Sequence, residues 1–199
     1  MDLECIQMSL EIVLGPMFAG KSSYILSSLR RYQSIGWQVF CITSTLDTRY
    51  EENAIHSHNH ESHPAISVTE LIPLQTTNHY NDARLIIIEE AQFFPDLYPF
   101  VQKAVEEHGK DMIIVGLDGD SERRPFGKIL DLIPLCDKVT KLTAMCKRCE
   151  TPTEAIFTYR TIGDKSVISV GGGGKYEALC RSHYIKQKSE ASSGAGGDN

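Results

Sequence analysis

Apolar positions change period along this chain, and the changes mark out alternating strands and helices. Leu10 to Leu14 is a short apolar run, after which Ile25, Leu26, Leu29 and Tyr32 recur at the spacing of one helix face. Gly36 stops that pattern, and Trp37 to Thr43 reads as a second strand. Arg84 to Ile88 is a continuous, largely β-branched run of the kind buried on both faces of a parallel sheet. Leu97, Phe100, Val101, Ala104 and Val105 then form one stripe of a helix predicted over Asp96 to Gly109. Met112 to Leu117 is another buried strand, Ile129 to Leu135 a helical turn, and Lys138 to Leu142 a last strand. Ala65 to Leu74 carries a weaker signal for a short strand and a helical turn, and Ser44 to Pro64 is polar without sustained periodicity. Strands alternating with helices predict an α/β fold with a doubly wound parallel sheet.

The first strand and first helix are joined by Gly15-Pro16-Met17-Phe18-Ala19-Gly20-Lys21-Ser22, which fits G-x-x-x-x-G-K-[ST] at every fixed position. Glycines in such a loop let successive backbone N–H groups converge on phosphate oxygens, and the positive end of the following helix adds to the field. Lys21 is expected to reach the β- and γ-phosphates of ATP, and the Ser22 hydroxyl to sit on Mg²⁺. The buried strand at 84–88 runs into Glu89-Glu90-Ala91-Gln92, which places two carboxylates where open α/β sheets keep their ligand crevice. A strand ending on solvated acids is the plain alternative; a phosphate loop upstream favours a Mg²⁺ site.

The C-terminal third changes character. Cys146 and Cys149 form a C-x₂-C pair, and Cys180 and His183 repeat that spacing after residues 150–179. Three thiolates and an imidazole make a closed tetrahedral Zn²⁺ set with no open position for chemistry. Between the pairs, Ala155 to Thr161 and Ser166 to Val170 read as strands of a hairpin turning at Gly163-Asp164, and Gly171 to Gly174 as a flexible loop. Gln187 onward is Ser-, Ala- and Gly-rich and predicts a disordered tail. The expected division is therefore 1–143 for the ATP-binding sheet, 144–186 for the zinc-binding segment and 187–199 for the tail.

Composition adds exclusions. An apolar fraction of 41% and a charged fraction of 23% are those of a globular protein, and a formal charge of −6 argues against stable nucleic-acid binding. Acidic residues near the N-terminus and the shortness of the longest apolar run predict neither a secretory signal nor a membrane span. Cys5, Cys41 and Cys136 are scattered, which with the motif cysteines indicates a reducing, cytoplasmic setting. His56, His58, His60 and His63 could bind metal, yet no Cys or carboxylate completes a ligand spacing, and a mobile loop over a site is the simpler reading.

Taken together these motifs resemble the type II thymidine kinases, over roughly residues 10 to 186. The matching pieces are 15–22, Asp47-Thr48-Arg49-Tyr50, Glu90-Ala91-Gln92-Phe93-Phe94, Gly116 to Gly119 with Pro125-Phe126-Gly127, Cys146/Cys149, and Val170-Gly171-Gly172 with Lys175-Tyr176 and Cys180/His183. The resemblance implies a RecA-like P-loop NTPase sheet with a small C-terminal zinc-binding lasso. It implies transfer of the ATP γ-phosphoryl group to the 5′-hydroxyl of thymidine or deoxyuridine with Mg²⁺, giving dTMP in nucleotide salvage, by a homo-oligomer, dimer or tetramer. By the same resemblance Glu90 would be the general base. Gly15, Pro16, Met17, Phe18, Ala19, Gly20, Lys21, Ser22, Asp47, Arg49, Glu89 and Gln92 would meet ATP and Mg²⁺. Met17, Phe93, Leu117, Phe126, Thr158, Val167, Ser169, Val170, Gly171 and Tyr176 would meet the nucleoside, the segment 167–176 closing over its base.

Two departures stand out: Glu89 replaces the family's more common Asp, and Ser121 stands where an aromatic residue is frequent. Glu89 also raises the reading of an inactive, regulatory relative. A kinase of another small molecule is a further alternative, as is a nucleic-acid motor suggested by Glu89-Glu90-Ala91-Gln92. The chain is too short for two motor lobes and too acidic for a general nucleic-acid groove.

Overall fold

The computed structural model describes residues 8–46, 53–56, 61–161 and 174–194. Strand β1 (Leu10–Leu14) is followed by helix α1 (Lys21–Ser34), β2 (Val39–Ser44), the short strands β3 (Ala54–His56), β4 (Ser62–Pro64) and β5 (Ile66–Val68), and helix α2 (Asn78–Asp82). Then come β6 (Leu85–Ile88), α3 (Leu97–Glu106), β7 (Asp111–Gly116) and β8 (Lys138–Lys141). A 3₁₀ turn at Ala91–Phe93 follows β6, and another at Ile129–Leu135 precedes β8. The remainder is β9 (Ala144–Met145), β10 (Glu154–Ala155), β11 (Phe157–Arg160), β12 (Tyr176–Leu179) and α4 (Arg181–Gly194).

Six strands form one parallel sheet in the order β5-β2-β6-β7-β1-β8. Because successive strand residues face opposite sides, the apolar runs feed two cores at once. Leu10, Ile12 and Leu14 of β1 pack with Leu97, Phe100, Val101 and Ala104 of α3, whereas Val13 packs with Ile25, Leu26 and Leu29 of α1. The doubly wound sheet expected from the hydrophobic pattern is therefore present, with the P-loop at the end of β1 and Glu89-Glu90 at the end of β6, one strand beyond β7.

Two expectations are corrected, and a third falls partly outside the described residues. Within the polar stretch 44–64, β3 and β4 pair antiparallel and bury Ile55 in the core beneath α1. Strands this short, with one inward apolar residue, carry no period to detect. Strand β11 pairs antiparallel with β12, Phe157 opposite Leu179 and Arg160 opposite Tyr176; the partner expected at 166–170 lies outside the described residues. Finally, α4 runs through 187–194, where a disordered tail was expected. Its first turns are anchored by buried Tyr184 and by the Lys188–Glu122 ion pair, so tertiary contact overrides a composition poor in helix-forming apolar residues.

Candidate active site

The P-loop turns on two left-handed residues, Phe18 (φ 67°) and Gly20 (φ 78°), before α1 begins at Lys21. Lys21 Nζ donates to the carbonyls of Gly15 (3.1 Å) and Pro16 (2.8 Å), folding back along the loop it is expected to serve. Ser22 Oγ donates to Glu89 Oε1 at 2.6 Å. That bond links the end of the loop to the end of β6, the two places that a nucleotide kinase uses to hold Mg²⁺, and both Glu89 and Glu90 are buried there.

Glu90 occupies the left-handed region (φ 52°, ψ 40°), a conformation disfavoured for a non-glycine residue by roughly 1–2 kcal/mol. Such a residue persists where its surroundings over-determine it. Here Gln92 Nε2 donates to Glu90 Oε2 at 2.5 Å, and Gln92 Oε1 accepts from the Leu117 N–H at 3.0 Å. Gln92, expected among the ATP- and Mg²⁺-facing groups, thus gives its amide to Glu90 and to the end of β7. Phe93 and Phe126, both expected at the nucleoside, meet edge to face with ring centroids 5.5 Å apart. On neighbouring β2, Cys41 is buried, and that burial, reinforced by the charge of Glu89, pushes its thiol up to about 12. It is a core residue rather than a nucleophile.

The loop 118–127 is tied at several points. Asp118 pairs with Lys141 Nζ at 2.7 Å, and the Asp120 carboxylate accepts from the Glu122 and Arg124 N–H groups and from the Arg124 guanidinium. Arg123, left-handed at φ 65°, lays its guanidinium over the rings of Tyr184 (4.7 Å) and Phe157 (5.5 Å). Tyr184 Oη donates to the Ser121 carbonyl at 2.6 Å. Ser121 is therefore held by its backbone, and α4 reaches the loop 118–127. Sequence reading missed Tyr184, although its place one residue after His183 was a signal that the metal knuckle would position it.

The C-terminal module meets the P-loop directly. Thr158 Oγ1 on β11 accepts from the Met17 N–H at 3.0 Å, and Phe18 and Ala19 pack on its small core. A cavity of about 490 Å³ opens along this seam, lined by Leu14, Pro16, Asp118, Arg123, Phe157 and Thr158 among others. Of the expected nucleoside residues it includes Thr158 alone; Phe93, Leu117 and Phe126 do not line it. Tyr176 is buried on β12, beneath the Arg160 guanidinium. Asp47, Arg49, Val167, Ser169, Val170 and Gly171 lie outside the described residues.

Cys146, Cys149, Cys180 and His183 converge, with ligand atoms all within 4.8 Å of one another. A tetrahedral ion with bonds of about 2.3 Å to sulfur and about 2.0 Å to nitrogen needs S···S edges of about 3.8 Å and S···N edges of about 3.5 Å. The Cys149–Cys180 sulfurs are 3.8 Å apart, and His183 Nδ1 lies 3.6, 3.3 and 3.4 Å from the sulfurs of Cys146, Cys149 and Cys180. Burial opposes ionisation of Cys146, yet the backbone N–H groups of Cys180 and Arg148 pull its thiol down to about 6, towards the thiolate that binds metal. The donor set therefore fits a structural zinc. No comparable group forms among the described residues of the histidine-rich stretch, where His63 Nδ1 donates to the Pro64 carbonyl and Nε2 faces the Gln33 amide.

Comparison with family profiles matches residues 8–184 to thymidine kinase. The chain belongs to the thymidine kinase family. It is 39% identical to thymidine kinase a of Arabidopsis thaliana over 180 residues, covering 89% of this chain and 75% of that one. It is 38% identical to human cytosolic thymidine kinase over 182 residues, 90% and 74% of the two chains. With the monkeypox virus thymidine kinase it shares 37% over 176 residues, 88% and 96%. Membership in the thymidine kinase family makes the chain a phosphotransferase, with ATP and thymidine the implied substrates. Among the described residues no helix is long and apolar enough to cross a membrane.

Proposed function

We propose that the chain transfers the γ-phosphoryl group of ATP to the 5′-hydroxyl of thymidine, and of deoxyuridine, with Glu90 as general base. The observation that supports this reading is the Ser22–Glu89 bond, which sets the P-loop against the end of β6, the strand that Glu89 and Glu90 follow. In this reading the P-loop N–H groups and Lys21 cradle the phosphates. Mg²⁺, when bound, neutralises charge that develops on the β- and γ-phosphate oxygens. Ser22 and Glu89 would hold it, their oxygens already converging at 2.6 Å. Glu90 accepts the 5′-hydroxyl proton as the new O–P bond forms and the bond to the bridging β–γ oxygen breaks, releasing ADP. The edge-on pair Phe93 and Phe126 walls the acceptor side and helps to exclude water.

Zinc at the Cys146/Cys149/Cys180/His183 set would have a structural role, holding 144–186 as a unit distinct from the sheet of 1–143. A homo-oligomer in the cytoplasm completes the reading. The test is ATP-dependent phosphorylation of thymidine, deoxyuridine and deoxycytidine by the wild type and by Glu90→Gln. The expected outcome is transfer to the first two nucleosides and a loss in kcat of about 10²-fold or more in the variant, with substrate affinity kept. Near-wild-type turnover by Glu90→Gln removes it as the base.

A further inference from the structure

We infer that Gln92 is a positioning residue that holds the Glu90 carboxylate for proton acceptance; this rests on the reading of Glu90 as the base. The Gln92 side chain is buried, so its amide must find its partners within the protein. Leu117 is the first residue beyond β7, and its N–H, past the end of the ladder, needs an acceptor. Gln92 Oε1 supplies it at 3.0 Å. A backbone N–H can only donate, so this bond fixes which end of the amide is the oxygen and turns Nε2 towards Glu90 Oε2, at 2.5 Å.

Two glycines are shaped around the same residue. A Cβ on Gly116 would lie 2.4 Å from Gln92 Oε1, and one on Gly127 would lie 2.0 Å from the Gln92 carbonyl oxygen. The segment that carries Leu117 and Phe126 therefore starts and ends in contact with Gln92, one end against its side chain and the other against its backbone. Through this one amide the carboxylate of Glu90 is referenced to the loop that walls the acceptor side, and its left-handed backbone is secured. The choice of an amide has a chemical reason. It neither gives up nor takes a proton near neutral pH, so it orients the base without competing for the proton the base must receive.

A purely structural Gln92 would need only to satisfy Leu117 and fill space. Gln92→Glu keeps the size and the Leu117 acceptor but sets a second carboxylate against Glu90, whereas Gln92→Met keeps the size and removes both bonds. Each is made in the full chain, alone and with Glu90→Gln, and kcat, dissociation constants for thymidine and ATP, and thermal melting are measured. Both single variants are expected to lose about tenfold or more in kcat with dissociation constants within about twofold of wild type. In the Glu90→Gln background neither is expected to lower the residual turnover further, because a residue acting through Glu90 has nothing left to act on. Wild-type kcat in Gln92→Glu, or the same fold-loss in both backgrounds, overturns the inference. Near-wild-type turnover of Glu90→Gln alone instead overturns the base assignment, and the two failures are read from different proteins.

Discussion

The parallel sheet and the C-terminal module are held together by different physics. In the sheet, Ile12, Ile42, Ile86, Ile87, Ile88 and Ile114 are entirely excluded from solvent, and both faces are covered. Among the described residues the module has two ladders of two strands each, and its core contains Ala144, Ala155, Ala178, Leu179 and Tyr184 with the sulfurs of Cys146 and Cys180. Small side chains bury little apolar area, and two-stranded ribbons are marginal by themselves. The sheet can therefore stand on its packing, whereas the module depends on a cross-link and on what it leans against. The two parts meet at the phosphate loop: the larger core carries it, and the smaller one contacts its tip at Met17 and Phe18.

Removing metal should break the comparison most sharply. Structural zinc in small modules contributes roughly 10–16 kcal/mol of apparent binding energy, so chelation or Cys146→Ser should expose the amides of β9 to β12 to fast hydrogen exchange. The amides of β1, β6 and β7 should stay protected. Elemental analysis that finds no zinc in protein purified without chelator, or equal loss of protection in both regions, would sink this expectation. The converse perturbation is Ile114→Ala at the centre of the sheet, where a cavity in a closed core should cost about 2–5 kcal/mol in denaturant unfolding. The whole chain should then lose stability, the C-terminal module included, because the module leans on the P-loop.

Tyr184→Phe tests the seam between the two regions at smaller scale. It deletes the bond to the Ser121 carbonyl while leaving the ring beneath Arg123, and should cost about 1 kcal/mol and raise KM for thymidine more than KM for ATP. Equal change in both would detach α4 from the acceptor loop. The smallest effect concerns Cys41. Its folded-state thiol is raised to about 12 from an ordinary value of 9, so the fold favours the protonated form. The associated stability is present below pH 9 and declines as pH rises from there towards 12. Below pH 9 a thiol reagent should leave Cys41 unmodified in the native protein; fast labelling there would contradict its placement in the core.

Most of the sheet could be read from the chain because its signals are local. An apolar run, a glycine-rich turn and an amphipathic stripe each lie within a short window, which is why β1, the P-loop, α1, β6, α3 and β7 were recognisable from residue order. The Cys/His donor set was recognisable for a related reason: two pairs at equal internal spacing announce themselves whatever lies between. What the chain could not disclose is which distant segments meet. Strand β11 pairs with β12 although residues outside those described separate them in sequence, Ile55 finds the core from an otherwise polar stretch, and α4 persists into a Ser- and Gly-rich end because Tyr184 and Lys188 are held by the loop 118–127. Gln92 is the clearest case. Its position after Glu89-Glu90 suggested the nucleotide, but its two bonds depend on β7 ending one strand away, and a side chain's partner across a sheet is set by strand order, which no local period encodes.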